Sequence, residues 1–149
     1  MIFEHKIIKE VEFSHTDMAG IVHFSNFYKY MEAVEHDLFR SLGKSIVGER
    51  DSAGENLGWP RVQANCSFKA PLKFEDKVEL HLIVRQLRSS TLRYEVIFTK
   101  LGEVSMVCAR GEMTIVHVVQ DQAGVMKARP LPEWLALALE AAPEGYKCK

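Results

Sequence analysis

The chain has 149 residues, of which 47% are hydrophobic and 26% charged, a composition that excludes a disordered chain and is typical of one folded domain. Its 19 basic and 20 acidic side chains leave a net charge of -1, which excludes the positive field that gathers nucleic acid. The sequence contains no run of about 18 apolar residues that could span a bilayer, and its first residues do not have the pattern of a signal peptide. We therefore expect a single cytoplasmic domain over residues 1–149.

The first third of the chain predicts a strand, a loop and a long helix. Apolar residues alternate with polar ones over residues 3–13, the period of a half-buried strand. Turn-forming residues and a glycine fill residues 14–20 and predict a loop. Apolar residues then recur every three or four places over residues 27–42, which predicts a helix with Ser25 as its cap and Gly43 at its end.

Glycines and charges without periodicity over residues 47–58 predict a mobile connection that could border a pocket. From Val62 onward the period of the sequence changes to two. Strands are predicted over residues 62–70, 78–84, 92–98 and 104–119. Since the last of these runs is long and rich in β-branched residues, we expect a central strand buried on much of both faces.

The polar segment of Arg88, Ser89 and Ser90 predicts a hairpin between two of these strands. A helical pattern over residues 131–139 predicts a short C-terminal helix, and we expect the segment after it to fray. The order of strand, long helix, four strands and short helix predicts an α+β domain. The three cysteines lack CxxC spacing, so we expect free thiols and no zinc site.

Asp17 lies just before the predicted long helix, where a carboxylate could serve acyl transfer. The free N–H groups and positive dipole end of a helix start can stabilise a carbonyl oxygen that becomes negative, while the carboxylate attacks or activates water. An aspartate in a polar loop is, however, much more often a turn or capping residue. Spacing alone therefore does not assign a catalytic role to Asp17.

Residues 15–27 read HTDMAGIVHFSNF, which resembles the motif D-x-D-x-x-G-x-V-x-x-x-N-Y of hot-dog-fold thioesterases of the 4-hydroxybenzoyl-CoA thioesterase type. The resemblance continues along nearly the whole chain. The matching positions are Asp17, Gly20, Val22 and Asn26 in the motif, then Phe68, Pro71 and Asp76, and the hairpin at Arg88, Ser89 and Ser90.

This resemblance implies a bent antiparallel sheet wrapped round the long helix, assembled as a homodimer or homotetramer. It also implies hydrolysis of an acyl-CoA to a carboxylic acid and CoA, without a metal or redox cofactor. Asp17 would be the nucleophile or the general base, two roles that the sequence leaves open. The backbone N–H of Phe24 would polarise the thioester carbonyl.

Two departures from the family pattern bear on the chemistry. His15 stands where the family has its first aspartate, and Phe24 stands where thioesterases of the Tol-Pal cell-envelope system have a histidine. The proton transfer that the family histidine performs therefore cannot be assigned to Phe24. His23, one residue earlier, is retained only as a substrate-binding candidate. Arg88, with Ser89 and Ser90, could hold the CoA phosphates, although the same residues are also good turn formers.

Two other functions remain open from the sequence. Hot-dog domains also act as hydratases or dehydratases of acyl thioesters, but their different helix-and-loop signature is not found. A non-catalytic acyl-CoA binding module is the second alternative, since fold does not imply function. A metal site at His15, Asp17 and His23 matches no known ligand spacing, and the acyl group can be aromatic or fatty.

Overall fold

A computed structural model of the chain describes residues 1–148. Its elements, in chain order, are β1 (Glu4–Glu10), α1 (Phe24–Ser41), β2 (Asn56–Gly58), β3 (Arg61–Phe68), β4 (Lys77–Leu87), β5 (Thr91–Lys100), β6 (Met106–Val116), β7 (Val118–Gln120), β8 (Met126–Ala128) and α2 (Glu133–Ala138). Neither α-helix of the described residues combines the length and the apolar character that a membrane span needs.

The larger sheet has five antiparallel strands in the order β1-β4-β5-β6-β3. Register shifts near Arg61, Val84 and Phe98 mark bulges, which bend strands. The predicted α+β class is confirmed, as are the long helix, the strands over residues 62–70, 78–84 and 92–98, and the short C-terminal helix. The first strand is shorter than predicted, because it ends at Glu10.

Helix α1 packs against one face of this sheet. Phe27 of the helix lies 5.3 Å from Phe98 of β5, measured between ring centroids. Met31 lies over Gly111 of β6, where an added Cβ would stand 2.6 Å from the methionine sulfur. The missing side chain at Gly111 therefore permits the close approach of helix and sheet.

The opposite face of the sheet is covered in part by the segment that follows α2. The Tyr146 ring lies 5.0 Å from that of Phe3, and the Tyr146 carbonyl accepts a hydrogen bond of 3.0 Å from Arg85. The expectation that this segment frays is therefore wrong for the described residues. The reason is that its contacts reach across the chain to β1 and β4, beyond what local sequence can indicate.

The predicted strand over residues 104–119 is also wrong as a single central strand. It is divided at His117, whose N–H donates to the carbonyl of Ser90 and whose carbonyl accepts from Arg129 N–H, both at 2.8 Å. After this break β7 pairs with β2 and β8 in a separate small sheet. Residues 56–58 are therefore a strand, although the sequence predicted a mobile connection there.

Helix α1 begins at Phe24, two residues earlier than a Ser25 cap would place it. His23 is the capping residue, because its Nδ1 accepts from the Ser25 N–H at 3.3 Å. Gly43 follows the helix with a φ of +75°, as predicted for its end. The early start places the backbone N–H of Phe24 in the first helical turn.

Candidate active site

The carboxylate of Asp17 lies in a tight turn between two paired residues, Thr16 and Val22. The Gly20 N–H donates to the Asp17 carbonyl at 2.9 Å, and Gly20 has a φ of +79°, which favours glycine. Oδ1 of Asp17 accepts a hydrogen bond of 2.8 Å from the Ala19 N–H. The turn thus fixes the direction of the carboxylate through its own backbone.

The same four-residue turn, Asp-x-Ala-Gly, occurs three times in the chain. In the turns that start at Asp51 and Asp121, Oδ1 accepts from the alanine N–H at 3.0 and 2.9 Å, and the glycine has a positive φ. Turn chemistry alone therefore accounts for an aspartate at each of the three positions. Asp17 differs from the other two in what lies beside it.

Asp17 lines a cavity of about 440 Å³ at the start of helix α1. The walls are mostly apolar, with Ile21, Val22, Phe24, Phe27, Phe68, Ala70 and Pro71 as the apolar members and Lys69 as the one cation. Asp17 is the only carboxylate among these lining residues. A ligand in this cavity would meet a negative group and a helix N-terminus in largely apolar surroundings.

The first turn of α1 keeps one backbone donor free within residues 1–148. The Ser25 N–H is bonded by the His23 side chain, and the Asn26 N–H donates to the His23 carbonyl at 2.9 Å. The Phe24 N–H makes no hydrogen bond to another described residue. It can therefore donate to a ligand in the cavity, with the helix dipole adding to the effect.

His23 caps the start of helix α1. Its Nδ1 also lies 2.8 Å from the Ser25 hydroxyl oxygen, and its ring lies 4.6 Å from that of Phe24. The imidazole is not among the residues that line the cavity of Asp17. These contacts are those of a residue that caps the helix.

Asn26, His15 and Tyr30 position the loop of Asp17, a role that the sequence did not assign to them. The buried Asn26 side chain donates to the His15 carbonyl at 2.8 Å. His15 Nδ1 lies 2.7 Å from the Tyr30 hydroxyl, and its Nε2 lies 3.0 Å from Glu12. Burial raises the pKa of Tyr30 to about 12, so the phenol stays protonated and donates to Nδ1.

The motif match at Asn26 was the one feature of the sequence that could have indicated how the loop of Asp17 is held. The partner of His15 is fifteen residues away along the chain and carries no motif of its own.

The structure does not bring Arg88, Ser89 and Ser90 to the cavity of Asp17 within one chain. They form the predicted turn between β4 and β5, with Arg88 N–H donating to the Thr91 carbonyl at 3.0 Å. Phe68, at the cavity, is in register with Phe98 through β6. From Phe98 to Ser90 the chain runs eight residues along β5, which is about 26 Å at roughly 3.3 Å per residue.

A second group of ionisable residues lies between helix α1 and the sheet. The Glu35 carboxylate is fully buried and is bonded by the Arg61 guanidinium and the Tyr94 hydroxyl. Burial raises the pKa of Glu35, although the Arg61 charge opposes the shift. No sequence pattern indicates this group, because Glu35 falls in the helix next to positions that are expected to be polar.

Within residues 1–148 no group of three or more His, Cys, Asp or Glu side chains is arranged to hold a metal ion.

Comparison with known proteins gives consistent matches over most of the chain. The sequence profile of the thioesterase-like superfamily matches residues 11–139. The 1,4-dihydroxy-2-naphthoyl-CoA hydrolase of Thermosynechococcus vestitus is 27% identical over 138 residues, 91% of each chain. The 4-hydroxybenzoyl-CoA thioesterase of Pseudomonas sp. strain CBS-3 is 26% identical over 114 residues, which cover 72% of this chain and 78% of that enzyme.

A crystal structure of a 1,4-dihydroxy-2-naphthoyl-CoA thioesterase from Synechocystis is similar at a TM-score of 0.81. The two chains are 22% identical, and the match covers 91% of this chain and 95% of the other. The predicted hot-dog fold is confirmed by this likeness.

Proposed function

This chain belongs to the thioesterase-like superfamily, and we propose that it uses Asp17 to hydrolyse an acyl-CoA thioester to a carboxylic acid and CoA. The observation that supports this proposal is the shared cavity of Asp17 and Phe24. The lining of this cavity includes a carboxylate and a helix N-terminus with a free N–H. Thiol release from acyl-CoA substrates tests it.

The chemistry follows from the two groups. The thioester oxygen accepts a hydrogen bond from the Phe24 N–H, which stabilises the charge that grows on it during attack. Asp17 either bonds to the carbonyl carbon as a nucleophile, or takes a proton from the water that attacks. In both routes the carbon–sulfur bond breaks and CoA leaves.

The walls of the cavity favour an aromatic acyl group. Phe24, Phe27 and Phe68 present three rings to this space, and rings pack well against a flat aromatic acid. The two relatives named above act on naphthoyl and hydroxybenzoyl thioesters by their names. We therefore expect benzoyl-type substrates to be hydrolysed faster than fatty acyl-CoAs of similar size.

A non-catalytic binding module is the second candidate, and one observation favours it. Because the Asp-x-Ala-Gly turn recurs at Asp51 and Asp121, the carboxylate of Asp17 is sufficiently explained by turn formation. A binding module would retain CoA thioesters intact. Turnover separates the two candidates.

Assembly through the edge of β3 is part of the proposal. This strand ends the five-stranded sheet and leaves Val62 and Phe68 at 62% and 48% exposed. An unpaired edge with apolar side chains favours pairing with another copy. We propose a homodimer through β3, which can pair again to form a homotetramer.

Val62→Lys is expected to weaken the dimer at least tenfold, because it places a charge at the proposed interface. Ile8→Lys is the matched control, since Ile8 is 63% exposed on β1, the other edge of the same sheet. Sedimentation at micromolar concentration measures both. A wild-type chain found only at 17.0 kDa, or equal weakening by the two variants, would contradict the proposal.

This dimer also gives the hairpin a way to reach a substrate. Two-fold pairing of β3 with its copy is antiparallel, so the Arg61 end of one strand meets the Phe68 end of the other. Arg61 lies at the hairpin end of the sheet, because it is in register with Leu92 through Ile115. We therefore propose that Arg88, Ser89 and Ser90 bind the phosphates of a CoA whose acyl group lies in the partner subunit.

Arg88→Ala is expected to raise KM roughly fivefold at low ionic strength, with kcat nearly unchanged, because the contact is remote from the scissile bond. The effect should shrink as salt is added. Arg40→Ala is the control, since Arg40 is an exposed arginine of α1 whose single weak partner among the described residues is Asp37, at 3.5 Å. Equal kinetics in wild type and Arg88→Ala would mean that the hairpin residues form the turn and do not bind CoA.

We retain the cytoplasm as the proposed location and one domain as the proposed organisation. The three cysteines are free thiols, which is in keeping with a reducing compartment. His23 is proposed to bind substrate only through its contact with Phe24.

A further inference from the structure

Cys148, His81 and Glu4 form a connected chain of side chains on the sheet face opposite α1. Cys148 Sγ lies 2.9 Å from His81 Nδ1, and His81 Nε2 lies 2.7 Å from a Glu4 carboxylate oxygen. The same oxygen accepts a hydrogen bond of 2.6 Å from the Tyr146 hydroxyl. A nucleophile, a base and an orienting carboxylate therefore follow one another, as nucleophilic catalysis requires.

The Glu4 carboxylate determines where the protons lie in the series of Cys148, His81 and Glu4. Glu4 accepts, so His81 carries its proton on Nε2 and presents a bare Nδ1 to the thiol. Burial lowers the pKa of His81 and raises that of the Cys148 thiol. At neutral pH the pair is thus a thiol beside a neutral imidazole that is free to take its proton.

An open cavity of about 750 Å³ adjoins the thiol. Its lining combines apolar residues, Ile97 and Val107, with one carboxylate, Glu79, and three cations, Lys6, Arg110 and Lys147. Cys148 and His81 both face this space. The cavity therefore suits an electrophile that carries negative charge and an apolar part.

We propose that Cys148 is a second nucleophile of this protein, which accepts an acyl group from an anionic acyl thioester. The sulfur bonds to the thioester carbonyl carbon, the bond from that carbon to the CoA sulfur breaks, and the thiol proton passes through His81 Nδ1 to the departing thiolate. The products are S-acyl Cys148 and free CoA. The choice of acyl-CoA as donor rests on the proposed function.

A thioester can transfer its acyl group to the Cys148 thiol without a further reactant. One thiol replaces another, so no oxidant or reductant enters the balance and the bond made resembles the bond broken. The cations of the cavity meet the phosphates of CoA. Glu4 and Tyr146 do not touch the reacting atoms and are positioning residues, which hold the imidazole in the required tautomer.

The test uses benzoyl-CoA and the full-length Asp17→Asn variant, so that the donor is not consumed at the first site. Digestion after glutamate and mass spectrometry then measure acylation at each cysteine with time. We expect Cys148 to be acylated at least tenfold faster than Cys66, a half-buried thiol with no histidine contact among the described residues. This comparison within one chain needs no further variant.

His81→Gln should slow acylation of Cys148 at least tenfold, since the base is lost. Glu4→Gln should slow it by a smaller factor, because the imidazole is kept but loses its anionic partner. Cys66→Ser should leave the rate unchanged. Equal rates at Cys148 and Cys66, absence of acylation at Cys148, or a His81→Gln variant as fast as its parent would each overturn the proposal.

The two proposals fail separately. Hydrolysis of benzoyl-CoA by wild type, together with an unmodified Cys148 in the Asp17→Asn variant, would overturn only the second nucleophile. Acylation of Cys148 in a chain without hydrolytic turnover would support the second nucleophile and overturn the function proposed for Asp17.

Discussion

Asp17→Asn is expected to lower kcat roughly 10²-fold or more, with little change in KM. The amide keeps the shape of the side chain and can still accept from the Ala19 N–H, so the turn survives. What it loses is the negative charge that attacks the carbonyl carbon or takes a proton from water. Steady-state thiol release from benzoyl-CoA measures the effect.

Asp121→Asn is the matched control for this substitution. Asp121 starts the same turn, with its Oδ1 bonded by Ala123 N–H at 2.9 Å, and lies outside the cavity of Asp17. We expect its kcat to stay within twofold of wild type. Equal losses in both variants would mean that the turn, and not the charge, is what activity needs.

A single turnover in heavy-oxygen water divides the two roles of Asp17. If Asp17 forms a mixed anhydride and water attacks the side-chain carbonyl carbon of Asp17, solvent oxygen remains on the enzyme. If Asp17 acts as a base, the attacking water delivers its oxygen directly to the product acid.

Arg61→Met is expected to lower the free energy of unfolding by about 3–5 kcal/mol at neutral pH. Glu35 is fully buried, and the substitution removes the guanidinium that bonds it, leaving His36 Nε2 at 3.8 Å from the carboxylate. The Tyr94 hydroxyl remains as a neutral partner. Chemical denaturation followed by tryptophan fluorescence measures the loss.

The loss should depend on pH in a defined direction. Burial raises the folded-state pKa of Glu35 above its unfolded value, so the folded chain holds this proton more tightly. The stability that results is present below the unfolded pKa and is lost as pH rises through the folded one. Without Arg61 the folded pKa rises further, so the deficit should grow as pH rises above the unfolded pKa of Glu35.

The double variant Glu35→Gln with Arg61→Met supplies the control for this pair. It removes the buried charge together with its partner, so most of the lost stability should return and the added pH dependence should vanish. An Arg61→Met variant as stable as wild type at pH 8 would contradict the account of this ion pair.

The elements that local pattern specifies were predicted from the sequence. Alternation predicted β1, β3, β4 and β5 of the main sheet, and spacing of three and four predicted α1, because both patterns report which face of an element is buried. The division at His117 could not be predicted in this way. It depends on hydrogen bonds to Ser90 and Arg129, which lie elsewhere in the chain.

The candidate site was predicted in part. The motif led to Asp17 and Phe24, which share one cavity, but it did not indicate that Tyr30 bonds His15. Pairing between His81 and Cys148, 67 residues apart, was beyond sequence reasoning, since each looks like an isolated residue. A pattern read along the chain reports burial, but not which side chains meet across a sheet.

Thiol release from a panel of aromatic and fatty acyl-CoAs, with wild type and Asp17→Asn at equal concentration, tests the central claim most directly. The account predicts turnover by wild type, fastest on benzoyl-type thioesters, and a fall of roughly 10²-fold or more in the variant on the same substrate. Absence of thiol release from every member of the panel, or near-wild-type turnover by Asp17→Asn, would contradict it.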